Sequence, residues 1–326
     1  MIKGQVVKLD RGFPLVRAED GCEYRSEHAT ALVKEKNLRA VIGDTVIIEL
    51  PEGHDKAIIE KILPRKNVFI RKDPTEQALP QVLAANFDQV FVTQPVGDLN
   101  FRRLERELVL AHETGANVSV VLTKADLVSD SHSVESICNK VKALIGQDRL
   151  LLVSTENTES IEKVRELIPL GTTAVLIGKS GVGKSSLVNM LVGTNIQETT
   201  EVRHADGKGR HTTVSREMID IPGAGRIIDM PGVRGLGLWD AEIGIEAAFA
   251  DIEEIAKQCK FGDCKHENEP GCAVQKAIEN KTLAISRMDS YKSLKAEIEA
   301  IQERREEASR MRTRTGHPRK RQSSKN

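Results

Sequence analysis

The sequence of 326 residues has few aromatic side chains and no long hydrophobic run. Residues 1–66 contain only Phe13 and Tyr24 as aromatics, which leaves little material there for stacking against nucleic-acid bases. No apolar run is long enough to cross a bilayer, and the first residues show no signal-peptide pattern. We therefore predict a cytoplasmic protein with no membrane partner, and we expect a monomer.

Cysteine is also scarce, and three of the five cysteines lie within one stretch of fourteen residues. Without a signal peptide or a pattern among the others, disulfide bonds are disfavoured, and we expect Cys22 and Cys138 to be small buried side chains. The cluster has the spacing C-x4-C-x-H-x5-C, in which three thiolates and one imidazole complete a tetrahedral zinc set. Because all four positions are filled, we predict a structural zinc, the alternative being a reduced cluster without metal. The predicted ligands are Cys259, Cys264, His266 and Cys272.

The net charge is zero, but the charge is unevenly distributed along the chain. Residues 310–326 contain seven Lys or Arg and no Asp or Glu, so the remainder carries a net charge of −7. We predict a basic, disordered tail there that favours RNA phosphates through counterion release. A tail that only keeps the protein soluble is the alternative, and membrane binding is disfavoured because no apolar face accompanies the charge.

The run GKSGVGKSS fits the phosphate-loop pattern G-x-x-x-x-G-K-S/T. The apolar residues 174–177 before it predict a buried strand, and SSLVNMLVG after it predicts a helix whose N-terminus faces the phosphates. Lys184 would reach the terminal phosphates, and the Ser185 hydroxyl would hold Mg²⁺. A glycine-rich turn without a ligand would leave this lysine and serine unexplained. The predicted nucleotide-binding residues of the loop are Gly178, Lys179, Ser180, Gly181, Val182, Gly183, Lys184, Ser185 and Ser186.

A second phosphate-side motif, D-x-x-G, follows in the run RIIDMPG. Asp229 ends an apolar strand and would hold the Mg²⁺ shell through water. The Gly232 amide would contact a terminal phosphate, so hydrolysis would break this contact and release the segment that follows.

The guanine-reading motif N-K-x-D is missing after these motifs, and a related T-K-A-D stands before them. Asp126 would accept two hydrogen bonds from guanine N1–H and N2–H₂, which adenine cannot donate, and the Lys124 stem would lie over the base. Thr123 replaces the usual asparagine, and we expect it to tether the phosphate loop with some loss of guanine affinity. A strand that ends at Ser154 would supply a backbone contact to the guanine oxygen. An ATPase or kinase is therefore disfavoured.

Because the guanine half precedes the phosphate half, the sequence predicts a circular permutation that keeps the same strand neighbours in a parallel sheet. In this order the segment after Gly232 leaves the nucleotide domain and enters the C-terminal region. Nucleotide state would therefore act directly on that region.

The chain before the basic tail divides into three segments. Short alternating runs in residues 1–66 predict a small barrel or sandwich, without distinguishing an OB-fold from an SH3-like barrel. With twelve basic and eleven acidic residues, this segment is not strongly basic, so RNA binding there would depend on local charge and shape. The alternative is a barrel with a purely structural role. Alternating strands and helices in residues 67–240 predict a parallel sheet covered on both faces, and residues 241–309 read as helical.

Catalysis needs a group that orients water, and the residue after D-x-x-G is Val233, which cannot do this. We therefore expect slow intrinsic turnover. His211 is the best internal group for positioning water, the alternatives being a phosphate or RNA contact, a surface histidine or an activating group from rRNA. Between Thr212 and Thr213, we favour Thr213 for the Mg²⁺ shell. Lys184, Mg²⁺ and backbone amides would neutralise charge without a covalent intermediate.

With these motifs, the segments AANFDQVFVTQP, GKGRHTT, DMPGVRGLGLW and EPGCAV resemble the circularly permuted GTPases of the RsgA (YjeQ) family, bacterial factors for maturation of the small ribosomal subunit. The resemblance covers nearly the whole chain. It implies an OB-type barrel, a permuted P-loop GTPase domain and a zinc-binding helical domain, with GTP hydrolysis stimulated by the small subunit and its rRNA. The alternative function is a nucleotide-gated rRNA-binding adaptor in which hydrolysis is incidental.

Overall fold

The computed structural model describes residues 1–10, 13–34, 38–72, 80–194, 216–230, 238 and 241–315. These residues form a barrel, a sheet covered by helices, and a helical C-terminal region. None of the helices in the described part of the chain combines the length and the apolar character that a bilayer span needs.

Five short strands close into the N-terminal barrel. They are β1 (Ile2–Asp10), β2 (Phe13–Ala18), β3 (Glu23–His28), β4 (Thr45–Glu49) and β5 (Ala57–Ile62). The strand order is β1-β2-β3-β5-β4, and β4 pairs again with β1 to close the barrel. β3 and β5 run parallel, and the short helix α1 (Thr30–Lys34) lies between β3 and β4. This is the OB-fold arrangement, which the strand pattern alone did not distinguish from an SH3-like barrel.

A hairpin and one shared strand attach the barrel to the nucleotide domain. The hairpin consists of β6 (Val68–Lys72) and β7 (Pro80–Ala85). On β1, Val6 faces the barrel core, whereas Val7, 2% exposed, packs in the core of the neighbouring domain because successive strand residues point to opposite faces. The strand therefore belongs to both domains.

The nucleotide domain is the predicted parallel sheet covered on both faces. Its strands are β8 (Gln89–Pro95), β9 (Asn117–Thr123), β10 (Leu150–Leu152), β11 (Thr173–Ile177), β12 (Arg216–Asp220) and β13 (Arg226–Asp229). The order is β10-β9-β8-β11-β13-β12, in which all but β12 are parallel. β12 also pairs with β1 of the barrel, through Lys8 opposite Glu217 and Leu9 opposite Arg216.

Four helices cover this sheet. They are α2 (Phe101–Glu113), α3 (Ser131–Ile145), α4 (Thr158–Glu166) and α5 (Lys184–Val192). Val90 and Val92 of β8 pack in one apolar cluster with α2 and α3, and Phe91 packs in the other with α4 and α5. Burial on both faces explains why the central strands are continuously apolar.

The C-terminal region is helical and packs on α2. Its helices are α6 (Glu242–Ala248), α7 (Ala250–Ala256), α8 (Ala273–Glu279) and α9 (Ile285–Thr315). At Gly244 the backbone of α6 lies so close to α2 that a Cβ would stand 2.1 Å from the Val109 carbonyl oxygen. The Glu113 carboxylate accepts the Gly244 amide at 2.8 Å. Helix α6, the first described helix after the D-x-x-G motif, therefore packs directly on α2.

A buried arginine fixes α9 to the rest of the protein. Arg287 is 7% exposed and donates to Asp251 of α7, to Glu105 of α2 at 2.8 Å and to the Ala248 carbonyl oxygen. Its guanidinium also lies 4.3 Å from the centre of the Phe249 ring. One side chain thus joins α9 to three other helices.

Two details of the chain differ from the sequence-based expectation. Helix α9 continues to Thr315, so residues 310–315 are helical, and Glu306 and Arg310 form an i,i+4 ion pair. Residues 316–326 lie outside the described part. The prediction that Cys22 is buried is wrong, because it follows the exposed turn between β2 and β3, whereas Cys138 is half-buried.

Candidate functional site

The phosphate loop connects β11 to α5 at the carboxyl edge of the sheet. Gly178, Gly181 and Gly183 have φ angles of 146°, 82° and 104°, a region that side chains disfavour. A Cβ on Gly178 would stand 2.4 Å from the Thr93 carbonyl oxygen at the end of β8. The glycines therefore let the loop lie directly on the neighbouring strand, with its amides preceding the N-terminus of α5 as phosphate binding requires.

Lys184, the first residue of α5, folds back over this loop. It is 7% exposed, and its Nζ donates to the carbonyl oxygens of Gly178 at 2.9 Å and Lys179 at 3.2 Å. Burial lowers the pKa of Lys184, while the charges of Asp229 and Glu107 oppose that shift. The ammonium is therefore held at the loop, where it can bind phosphate oxygens.

The T-K-A-D segment is joined to the phosphate loop by two side chains. The Thr123 hydroxyl donates to the Val182 carbonyl oxygen and lies 3.3 Å from that of Gln94. Lys124 takes a left-handed φ of 58°, and its Nζ donates to the Gly181 carbonyl oxygen at 2.8 Å. The threonine thus makes the tether expected of it, and the two distant motifs form one continuous surface.

Asp126 and Ser154 lie on adjacent loops at the same edge. Asp126 is exposed on the turn after β9, and Ser154 follows β10; the Ala125 amide points at the Val153 carbonyl oxygen at 3.5 Å. The Ser154 amide already donates to Ser160 Oγ at 3.4 Å, a long hydrogen bond that a guanine oxygen would have to replace. Asp126 is thus available to a base, and Ser154 is available only after that exchange.

Asp229 lies on the other side of the phosphate loop. It ends β13 opposite Leu176 of β11, and its charge acts on Lys184, which precedes Ser185 in the first turn of α5. A hydroxyl and a carboxylate are oxygen ligands of the kind that Mg²⁺ prefers, so these two residues fit the Mg²⁺ that accompanies GTP. Gly232, His211, Thr212 and Thr213 lie outside the described residues.

The four predicted zinc ligands converge in the C-terminal region. Their ligand atoms all lie within 4.8 Å of one another. The Sγ atoms of Cys259 and Cys272 are 4.0 Å apart, and His266 Nδ1 lies 3.6 and 3.5 Å from them. A tetrahedral zinc with usual bond lengths has edges of about 3.6 to 3.8 Å, so the cluster, completed by Cys264, fits a structural zinc site.

Hydrogen bonds outside the cluster hold these ligands in place. The Cys272 Sγ caps the N-terminus of α8, and the His266 carbonyl oxygen accepts from Gln275 at 2.6 Å and from Lys292 of α9 at 3.2 Å. The Glu269 carboxylate accepts the amides of neighbouring residues, which lowers its pKa to about 2. The zinc loop is therefore tied to both α8 and α9.

Two buried polar residues near Lys184 were missed by the sequence analysis. Gln94 ends β8 and Glu107 lies on α2; they are 0% and 4% exposed and joined by a hydrogen bond of 2.5 Å. Glu107 follows Leu104 and precedes Leu108 on the apolar face of α2. A polar residue at that position is the signal by which it could have been noticed.

A parallel sheet with a phosphate loop, Asp229 and a tethered T-K-A-D loop along one edge defines a P-loop GTPase, here with the guanine motif first. The protein-family model described as RsgA GTPase matches residues 62–239 of this chain. A second family model, described as 50S ribosome-binding GTPase, matches residues 173–311. The chain belongs to the RsgA GTPase family.

Individual relatives agree with this membership. The "Small ribosomal subunit biogenesis GTPase RsgA" of Streptomyces coelicolor is 40% identical over 92% of this chain and 81% of its own. The relative from Vibrio parahaemolyticus, named "Small ribosomal subunit biogenesis GTPase RsgA 2", is 42% identical over 78% of this chain and 69% of its own. The crystal structure of YjeQ from Thermotoga maritima aligns with a TM-score of 0.65 and 26% identity, over 91% of this chain and 98% of that one. The crystal structure of YloQ, titled a circularly permuted GTPase, aligns with a TM-score of 0.65 over 92% of this chain and 96% of that one. Because its sequence identity is 24%, this likeness supports the fold alone.

Proposed function

We propose that this GTPase binds the small ribosomal subunit and acts late in its maturation, hydrolysing GTP to GDP and phosphate when the subunit stimulates it. The names of the relatives support the subunit as partner. The structural observation that supports the nucleotide assignment is the pair of hydrogen bonds by which Thr123 and Lys124 join the T-K-A-D segment to the phosphate loop.

The residue roles within this proposal follow from position. Asp126 reads the guanine edge, and Lys184 with the loop amides neutralises phosphate charge. Ser185 and Asp229 hold Mg²⁺, which supplies charge neutralisation when bound. The sequence adds Gly232 as a phosphate contact, Thr213 as a Mg²⁺ ligand and His211 as the group that positions water.

We further propose a cytoplasmic monomer that contacts rRNA through the barrel and the basic C-terminal residues. The division into residues 1–66, 67–240, 241–309 and a basic segment 310–326, whose first six residues continue α9, is part of the same proposal. The closed barrel and the seven basic residues of the last segment support it.

The test is turnover of GTP and of ATP, each measured with and without purified small subunits. We expect GTP hydrolysis to rise strongly with subunits and ATP hydrolysis to stay at background. Lys184→Ala should abolish nucleotide binding, and His211→Ala should lose stimulated turnover while GTP still binds. GTP binding without any stimulation would favour the rRNA-binding adaptor, and equal use of ATP would contradict the guanine assignment.

Asp126→Ala tests the base contact separately by calorimetry with GDP. We expect GDP affinity to fall by more than about a hundredfold, since each of the two hydrogen bonds to a charged carboxylate contributes about 1.5 to 3 kcal/mol. Glu156→Ala, an exposed carboxylate on the neighbouring loop, is the control. Unchanged GDP affinity in the Asp126 variant would refute the assignment.

A further inference from the structure

Gln94 and Glu107 form a buried polar pair under the phosphate loop. Gln94 stands at the end of β8, where its carbonyl oxygen meets the Thr123 hydroxyl and where the preceding Thr93 carbonyl oxygen supports Gly178. Glu107 reaches it from α2 and accepts from Gln94 Nε2 at 2.5 Å. The pair therefore contacts the same strand end that carries both nucleotide motifs.

The pairing is incomplete on the amide side. Gln94 Oε1 is buried and has no hydrogen-bond partner among the described residues. An ionised carboxylate only accepts hydrogen bonds, so Glu107 in that form cannot satisfy this oxygen. A protonated carboxyl can bind an amide at two points, because its O–H donates to Oε1 while its carbonyl oxygen accepts from Nε2. Gln94 Oε1 can therefore accept a hydrogen bond from the proton that Glu107 would carry.

Few charged groups of the described residues act on Glu107. Burial raises the pKa of Glu107 to about 7, while the Gln94 hydrogen bond and the charges of Arg103 and Lys184 act in the opposite direction. The other charged groups that meet α2 are engaged elsewhere: Arg287 of α9 with Glu105, Glu297 of α9 with Arg106, and Glu113 of α2 with the amide of Gly244. Among the described residues outside α2, Lys184 is therefore the cation that acts on Glu107.

We propose that Glu107 is a positioning residue for Lys184. Before nucleotide binds, Glu107 is ionised and balances the charge of the Lys184 ammonium. When phosphate oxygens bind this ammonium, Glu107 takes up one proton from solvent. The proton adds to a carboxylate oxygen and bonds to Gln94 Oε1, and no other bond changes. The proposal rests on the proposed function, because it requires Lys184 to bind nucleotide phosphate.

The sign of the effect follows from linkage. Phosphate brings negative charge toward Glu107 and occupies Lys184, so the proton affinity of Glu107 rises on binding. Nucleotide binding therefore takes up protons near neutral pH, and affinity weakens as pH rises through the range in which Glu107 ionises. Glu107→Gln imitates the protonated form, since a second amide can pair with Gln94 at the same two points.

The experiment is calorimetry of GDP with Mg²⁺ binding to the full chain near pH 7.5, in two buffers of different ionisation enthalpy. We expect the wild type to take up a fraction of a proton and Glu107→Gln to lose that fraction. Between about pH 6.5 and about pH 8.5, GDP affinity should fall roughly three- to tenfold more in the wild type than in the variant. Glu166→Gln, an exposed carboxylate on α4, should behave as the wild type.

Infrared difference spectra of the wild-type chain test the same step without a substitution. GDP should produce a new carboxylic-acid C=O band, which Glu107→Gln should lack. Equal proton uptake in the two proteins, or no new band in the wild type, would overturn the proposal while leaving guanine nucleotide binding intact. Failure of the wild type to bind GDP at all would instead refute the proposed function.

Discussion

The nucleotide domain is joined to its two neighbours by different kinds of contact. The barrel meets it through one strand pair and through ion pairs at the surface, such as Lys8–Glu217, whose side chains are 32% and 47% exposed. The helical region meets it through Arg287–Glu105, whose side chains are 8% and 5% exposed. Exposed pairs contribute little to stability, whereas breaking a buried pair strands a charge in the interior.

This difference predicts that the two junctions respond differently to substitution. The barrel junction depends on backbone pairing and on apolar residues such as Val7, and it tolerates the loss of charge. The helical junction depends on one buried cation of α9 that binds three other helices. The position of α2, between this cation on one side and the phosphate loop on the other, makes it the shared element of site and junction.

Removing zinc should have the largest effect on the helical side. Structural zinc in small domains contributes on the order of 10 kcal/mol to folding, and this cluster is tied to both α8 and α9. We expect Cys272→Ser, or a strong chelator, to unfold the zinc loop and α8 and to lower the melting temperature, measured by circular dichroism. Cys138→Ser should leave melting unchanged, and the same result for Cys272→Ser would contradict a structural metal.

Replacement of Arg287 should have the next largest effect. Arg287→Met leaves the Glu105 carboxylate buried without its cation, at a cost of about 3 to 5 kcal/mol in the free energy of unfolding. Urea denaturation measures this cost, and Arg310→Met, an exposed arginine farther along α9, is the control. If Glu105→Gln in the Arg287→Met background failed to recover part of the loss, the stranded carboxylate would not be its cause.

The features that the sequence predicts well depend on fixed spacing. The motif in residues 178–186 must form a loop that ends in the first turn of a helix, and the cysteine cluster brings its ligands together within one short segment. The alternation of apolar runs likewise indicates a covered parallel sheet. Each of these features is local, so the chain order contains the information needed to predict it.

The features that the sequence does not predict are long-range. Nothing local to Lys8 indicates that β1 pairs with Glu217 on β12, because strand register between distant segments depends on the packing of both domains. The position of Glu107 on the apolar face of α2 can be read from the sequence, but nothing local indicates that Gln94 and Lys184 lie near it. The length of α9 was underestimated because basic composition was read as disorder, although i,i+4 pairs such as Glu306–Arg310 support a helix.

Glu107 extends the comparison to a buried carboxylate without a lasting ion pair. Its pKa is raised from an ordinary 4.5 to about 7 by burial. The folded state therefore holds a proton that the unfolded chain has released, so stability falls as pH rises from about 4.5 to about 7 and stays lower above that. We expect Glu107→Gln to add roughly 1 to 3 kcal/mol at pH 8 and almost nothing at pH 4, measured by urea denaturation. An equal gain in the free energy of unfolding at both pH values would show that the charge of Glu107 does not destabilise the folded state.

The exposed pair at the barrel junction should give the smallest effect. A double-mutant cycle of Lys8→Ala and Glu217→Ala should show a coupling of at most about 1 kcal/mol, which falls further at high salt. Val7→Ala, which removes apolar contact at the same strand, should cost about 2 kcal/mol and should not depend on salt. A coupling energy above the Val7 cost would mean that charge, and not packing, holds the barrel, and the contrast between the two junctions would disappear.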